Sequence, residues 1–398
     1  MSEDSEATRN RVRFAGSWYE LDDFAKRHPG GDGFINLFDG RDVTHAFRSY
    51  HPHFTDNRIS SVLRKVNSEK VPKEEIAEDN IKDINNDQVA NIVKNHAKAY
   101  KELQKEVLVA LGGFRNSKGN FIFFLKSFVI MSVTIGLEVM QWMYGFNLVR
   151  AILLGCFMAL IGLNIQHDAN HGAASLNPKI NYAMGLLQDW IGGSAIHWRH
   201  HHVVLHHIHT NTEADPDVRA KPVLRVHPKD EPDLINRFQH LYIWPILSFF
   251  GLRIILLEPF DLATGIFGNE DQSQVGNTDH RFAAATKRER MFSLFLRALF
   301  YLRFIVLPLI FVPEWNTLLC IYATTAAGSF YLGGLFILSH NFPEVKFHPS
   351  NGDDKNLSFM AAQVETSCNW GSWFAIQMCG GLNCKYTSIQ RRLYHWRI

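Results

Sequence analysis

The sequence predicts a small N-terminal domain followed by an all-α membrane domain with four transmembrane helices arranged in two hairpins. Three observations predict it. At 398 residues the chain exceeds one ordinary core. Charged residues concentrate before about Arg115 and between Arg199 and Arg290. The intervals between and after are apolar and rich in Phe, Leu and Ile, so a mild average conceals a division into polar and lipid-compatible parts.

The first residues, "MSEDSEATRNRVRF", are polar and acidic and hold no apolar stretch of the kind a signal peptide needs. The N-terminus is therefore expected on the cytosolic side. Five cysteines, Cys156, Cys320, Cys368, Cys379 and Cys384, are odd in number and scattered, which argues for a reducing compartment rather than a disulfide framework. A formal net charge of +2 says almost nothing about partners, and no Lys/Arg block suggests nucleic acid, so no nucleic-acid partner is expected.

Within residues 12–66, "HPGGDGFINLFDGRDVTHAFRSYHP" places His28 and His51, each followed by proline, around a short helical run and a turn-rich middle. Two imidazoles can close both axial positions of a haem, so that it carries single electrons and leaves no place for oxygen. The glycines after His28 allow a close approach of backbone to porphyrin. His45 and His53 read as surface residues. Residues 67–113 form a charged linker, whose latter part carries apolar residues from Val89 through Ile92, His96, Tyr100 and Leu103 to Val107 at three-to-four spacing. An amphipathic helix ending near Gly112 and Gly113 is expected.

The membrane domain, residues 114–383, begins with two apolar segments, approximately Asn120–Met140 and Leu148–Gln166. A second pair runs approximately Ser293–Val312 and Thr317–Leu338. Each is about the 20 residues needed to cross a hydrocarbon layer. The joining loops "QWMYGFN" and "PEWN" hold no Lys or Arg, and positive charge lies at the opposite ends, as the positive-inside rule requires if both hairpins enter from the cytosol. Arg150 departs from that pattern and is expected to snorkel. "YAMGLLQDWIGGSAI" and "LYIWPILSFFGLRIILL" are broken by Gly or Pro and read as helices lying at the interface.

Nine of the twenty histidines fall between His167 and His209. Imidazole in that quantity beside apolar helices needs partners or a metal to offset its desolvation. His167 and His171 in "NIQHDANHG" share one face of a continuing helix, and in "IHWRHHHVVLHHIHTN" the same four-residue step brings His202 beneath His206, with His207 adjacent. Neutral imidazole suits iron, and so many nitrogens exceed the needs of one ion, so two non-haem irons are the natural reading. His197, His200, His201 and His209 are expected to support or to be solvated.

Residues from about Val12 to Val66, with "FAGSWYELDDFAKRHPGG" and "GRDVTHAFRSYHP", resemble the cytochrome b5 fold, which implies an α+β domain holding haem b between His28 and His51. "QHDANHGA", the histidine run followed by "EADPD", "RFQHL", "LSHNF", "QVETSCNW" and "GGLN" resemble the membrane-bound fatty acid desaturases, and the fusion points to the front-end branch. The resemblance implies that His340 joins His167, His171, His202, His206 and His207 as an iron ligand. It implies an acyl-CoA or acyl-lipid substrate, dioxygen as oxidant, electrons from cytochrome b5 reductase, and an endoplasmic reticulum membrane with N-terminus and histidines cytosolic. A tethered carrier has a raised effective concentration at its acceptor.

In that family "GGLN" leads into a third motif ending in an adjacent histidine pair, whereas here "CKYTSIQRRLYHWRI" follows Asn383. Residues 384–398 are thus expected to be a non-family tail, the chain truncated before the third motif, and activity lost with it. Cys-Lys-Tyr can be encoded by TGT AAG TAT, which contains the form of a splice donor, so a retained intron is the expected origin. Two alternatives stay open: a membrane-anchored haem electron carrier or inactive desaturase-like partner, and, among enzymes, a sphingolipid desaturase or hydroxylase.

Overall fold

The computed structural model describes residues 11–14, 17–28, 35, 43, 47, 51, 62, 67–70, 86–207, 210–212, 215–218, 220–264, 287–340, 345–347, 359–366 and 378. At the N-terminal end an antiparallel sheet is built from β1 (Arg11–Phe14), β2 (Ser17–Glu20) and β3 (Asn67–Lys70), in the order β1-β2-β3. Val12 pairs with Tyr19, and Trp18 with Glu69, so the third strand comes from the stretch expected as linker. A short helix, α1 (Asp22–Ala25), follows β2 and leads to His28. Val12, Phe14, Ala25 and Val43 are buried, and alternation along β1 puts Val12 and Phe14 on one face. This small α+β unit is the fold class expected of the N-terminal domain.

Helix α2 (Asn86–Ala110) ends as the sequence requires. Gly112 and Gly113 take φ of 70° and 111°, a region where a side chain would be strained, and so the chain turns out of the helix there. Val107 is buried and Tyr100 and Leu103 half-buried, while Lys101, Glu102, Lys105 and Glu106 are exposed, which is the amphipathic division.

All four apolar segments form helices long and apolar enough to cross a membrane. In the first hairpin α3 (Phe121–Tyr144) is capped by Asn120, whose side chain accepts from Phe123 N, and α4 (Leu148–Asn170) by Asn147, which accepts from Val149 and Arg150 N. Between the crossings, α5 (Pro178–Gly185), α6 (Leu187–Trp190) and α7 (Ala195–Trp198) form a chain of short helices. Helices α8 (Gln239–Ser248) and α9 (Phe250–Thr264) follow, and α10 (Lys287–Phe311) with α11 (Trp315–His340) makes the second hairpin. Helix α10 starts earlier than hydropathy suggests because Lys287, Arg288, Glu289 and Arg290 extend it as a charged turn. A last short helix, α12, is Phe359–Glu365.

Arg150 is held at the loop end of the first hairpin, its guanidinium donating to the carbonyls of Tyr144 and Gly145. The two hairpins interlock through α4 and α11. Gly155 permits their close approach, since a Cβ there would lie 2.1 Å from the Thr324 carbonyl oxygen.

Helices α8 and α9 correct one expectation, for they do not lie flat at the interface. They meet at 62°, and the bend is tucked against α11, where Ser248 Oγ lies 3.1 Å from Tyr322 Oη and Gly251 N donates to Ser329 Oγ at 2.8 Å. Helix α9 then climbs along α10, Ile255 packing with Phe300, Glu258 pairing with Arg297, and the Leu262 carbonyl accepting from Arg290. Together the pair has the length and composition of a broken span or a re-entrant element. Polar side chains on α11, which hydropathy averages away, give the bend its anchor.

Candidate metal and haem sites

Helix α4 widens into a π turn over Ile161–Gln166 just before His167. The wider turn is continuous with α4's last turn, and it presents His167 and His171 on one side, with ring centroids 4.7 Å apart. Helix α7 does the same: Arg199–His206 is a π turn, and the His207 N–H bonds back five residues to the His202 carbonyl. Two consequences follow. His202 and His206 stack with centroids 5.3 Å apart, as four-residue spacing predicts, and His207 also closes on His202, Nε2 to Nε2 at 3.1 Å. The second contact is invisible to a 3.6-residue period.

The two π turns bring five of the sequence-predicted histidines together. The centroid of His202 is 5.3 Å from those of His167 and His171, and His171 is 4.9 Å from His207. One nitrogen each from His167, His171 and His202 lies within 4.8 Å of the others, a spacing suited to one ion. Trp198 packs on His202 at 4.3 Å and closes one side with apolar surface. Burial, followed by the neighbouring imidazoles, holds His171 and His202 well below the usual histidine range, so both are neutral and able to donate lone pairs.

His206 differs. Its Nδ1 lies 3.1 Å from both Asp215 oxygens and 3.1 Å from Asp217 Oδ2. Burial lowers its pKa, but the charges of Asp217 and Asp215 outweigh burial and push it up to about 9. The carboxylates hold the ring by Nδ1–H, the outer-shell arrangement common around ligating histidines, and a metal at Nε2 would displace the second proton that the raised pKa keeps there at neutral pH. Asp215 and Asp217 were within the "EADPD" stretch but received no role from the sequence, because carboxylate and histidine are nine residues apart and the link is the turn at Asn211, with φ of 55°. Asn211 N donates to Asp215 Oδ2 at 2.8 Å. Gln363, on α12, donates to the His207 carbonyl at 3.0 Å, a second contact no local pattern announces.

Of the supporting histidines, His197 lies between two acids of α9, 3.1 Å from Asp261 Oδ2 and 3.4 Å from Glu258 Oε1. His201 Nε2 is 2.5 Å from Asp217 Oδ1, and His200 is buried. His209 lies outside the described residues. His340 is the last residue of α11, and its side chain lies outside the described residues, as does the tail 384–398.

In the N-terminal unit, the rings of His28 and His51 face each other with centroids 5.9 Å apart. Phe47 stacks on His51 at 4.4 Å, and Phe24 lies 5.8 Å from His28. His51 Nδ1 donates to the Phe47 carbonyl at 2.9 Å, which places the ring's lone pair on Nε2. A metal taking one nitrogen from each ring, at about 2 Å from each, fits that separation.

Comparison with known proteins decides the family. Residues 141–386 match the family described as "Fatty acid desaturase". The chain belongs to that family. Residues 6–108 of the desaturase match a "Cytochrome b5-like Heme/Steroid binding domain". The desaturase is 36% identical to an acyl-lipid (7-3)-desaturase of Rebecca salina over 92% of this chain and 77% of that protein. It is 35% identical to one of Diacronema lutheri over 95% and 79%, and 29% identical to an acyl-lipid (8-3)-desaturase of Physcomitrium patens over 92% and 75%. No solved structure matches it. The desaturase is therefore an oxidoreductase and a multi-pass membrane protein, with a haem-type domain fused to an iron-type catalytic domain.

Proposed function

We propose that this desaturase is a front-end enzyme that places a cis double bond in a polyunsaturated acyl chain carried on a lipid. The convergence of His167, His171, His202, His206 and His207 at the ends of α4 and α7 carries this reading. These five, with His340, would hold two non-haem irons. Bound there, iron would supply the activation of dioxygen that removal of hydrogen from two neighbouring, unactivated methylenes requires.

The chain's own residues supply the rest. Asp215 and Asp217 hold the His206 ring in one orientation, Trp198 and the buried walls limit water, and neutral His171 and His202 offer nitrogen without first losing a proton. Each turnover converts one dioxygen, the two substrate hydrogens, two electrons and two protons into two waters. His28 and His51 would hold haem b, which when bound would supply one-electron transfer, with cytochrome b5 reductase as the proposed source of electrons. Positive charge at the ends opposite the short loops supports a cytosolic face for the N-terminus and the histidines, and the endoplasmic reticulum is the membrane of this proposal.

The test is expression in a host supplied with candidate polyunsaturated acids, with lipid products read by mass spectrometry. Relatives at 36% and 35% identity are both named (7-3)-desaturases, so that regiochemistry is the first to examine. His171→Ala and His202→Ala are each expected to abolish the new double bond that the parent gives, and full product from either variant would show that the clustered histidines do not hold the metal.

A further inference from the structure

Asp189 lies outside the histidine cluster, and nothing in the mechanism above uses it. Its side chain is 1% exposed and joins three elements. Oδ2 accepts from Ala195 N, the first residue of α7, at 3.0 Å, and Oδ1 accepts from Ser293 Oγ on α10 at 2.6 Å. Ser293 Oγ lies 2.8 Å from Ser194 Oγ, which in turn accepts from His197 N at 3.3 Å.

The direction of these bonds is fixed by chemistry. A carboxylate only accepts, so the Ser293 hydroxyl proton points to Asp189. Ser293 then accepts from the Ser194 hydroxyl, and Ser194 accepts from the His197 N–H. Two parallel runs of hydrogen bonds therefore start at the N-terminus of α7 and end on one carboxylate. Helix α7 continues without a break into the π turn that carries His202, His206 and His207. Its first turn is joined to α10 by polar bonds through this carboxylate and the paired serines, beside Leu294 of α10, which packs against the apolar cluster that includes Ile196.

We propose that Asp189 is a positioning residue of the desaturase site: clamped to Ser293 of α10 and to the N-terminus of α7, it sets the register in which the second histidine motif meets His167 and His171. The inference rests on the reading of those histidines as metal ligands. A negative charge at the start of a helix is favourable. Burial raises the Asp189 carboxyl to about 6, so it is ionised at neutral pH in spite of its surroundings. The groups facing it are Arg297 of α10, Glu258 of α9 and, behind Glu258, His197 of α7.

The test uses the full chain in lipid nanodiscs and Co(II) as the probe, followed by the visible absorption of imidazole-bound cobalt. Asp189→Ala is expected to lower Co(II) affinity by about 10-fold or more and to alter the band, the scale seen for residues supporting metal ligands. Ser293→Ala should weaken binding less, and adding it to Asp189→Ala should cause no further loss, because both act through one clamp. Asp189→Asn keeps an acceptor toward Ala195 and should recover most of the affinity. Thr134→Val, which removes a buried hydroxyl whose bond among the described residues is to Ile130 O within α3, is a control for a buried polar change away from the clamp and should leave the band unchanged.

Variants of Asp189 and Ser293 that melt at lower temperature yet bind Co(II) as the parent does would overturn the inference, and so would losses that simply add. Should Asp189→Ala not fold, Ser293→Ala carries the same comparison. A parent protein that shows no imidazole-bound cobalt at all would instead overturn the reading of the histidine cluster, and this inference with it.

Discussion

A buried carboxylate at a helix start has opposite effects on stability and on function, and Asp189 shows both. Burial is the largest influence on its pKa and raises it from 3.8 to about 6, opposing the bonds from Ser293 and Ala195 and the charge of Arg297, with Glu258 adding to the rise. Below pH 3.8 the group is neutral folded or unfolded. Between 3.8 and 6 the native state holds the proton more often than the unfolded state does, so stability falls as pH rises through that window. The whole loss is about 3 kcal/mol, from roughly two pH units at about 1.4 kcal/mol each. Asp189→Asn is therefore expected to flatten the dependence of unfolding free energy on pH between 4 and 6, measured by chemical denaturation in detergent. A slope as steep as the parent's would place the titration on another group. At the same scale, the histidines were legible in the sequence because their number and four-residue steps are local. Asp189, Asp215, Asp217 and Gln363 were not, since each is tied to its partner by a turn or by a distant helix.

At the scale of elements, hydropathy located the crossings because lipid demands about 20 apolar residues, a signal that survives averaging. What it could not show was the departure from regular geometry. The π turns at Ile161–Gln166 and Arg199–His206 leave no mark in composition, although they decide which histidines meet. The dip of α8 and α9 depends on hydroxyls of Tyr322 and Ser329 hidden within an apolar run. Helix contact is equally specific. A methyl added at Gly155 would stand 2.1 Å from the Thr324 oxygen and 3.0 Å from the Ala327 Cβ, and backbone on α11 cannot yield as a flexible side chain would. Gly155→Ala is expected to separate α4 from α11 at a cost of about 1–3 kcal/mol. Gly136→Ala, with nothing within 4 Å of the added atom, is the matched change that should leave the melting temperature unchanged or raise it. Equal melting of the two variants would mean that α4 and α11 do not pack through this contact.

For the whole molecule, the proposed electron path requires the N-terminal unit and the histidine cluster to share one side of the bilayer. Both hairpins constrain that geometry. Helix α3 starts, and α4 ends, beside the cluster: Lys118 Nζ donates to the Gly172 carbonyl at 2.8 Å, and Gly119 N donates to Ala173 O at 3.0 Å. The ends are thus stapled together, and the loop between Tyr144 and Leu148 must lie across the membrane from them. The same holds for the turn between Phe311 and Trp315, because Asn316 Nδ2 donates to the Phe146 carbonyl and joins the two loops. If α8 and α9 dip and return on the same side, four crossings bring the chain back to the side from which it started. Single cysteines introduced into a cysteine-free background test this with an impermeant maleimide on sealed microsomes. Glu314→Cys is expected to label only after the vesicles are opened, whereas Lys101→Cys on α2 and Lys229→Cys in the loop before α8 should label at once. Labelling of Glu314→Cys in sealed vesicles together with Lys101→Cys would require an odd number of crossings, with α8 and α9 as a full span. His340, at the end of α11, would then lie across the membrane from the haem-type unit and from the other five proposed ligands.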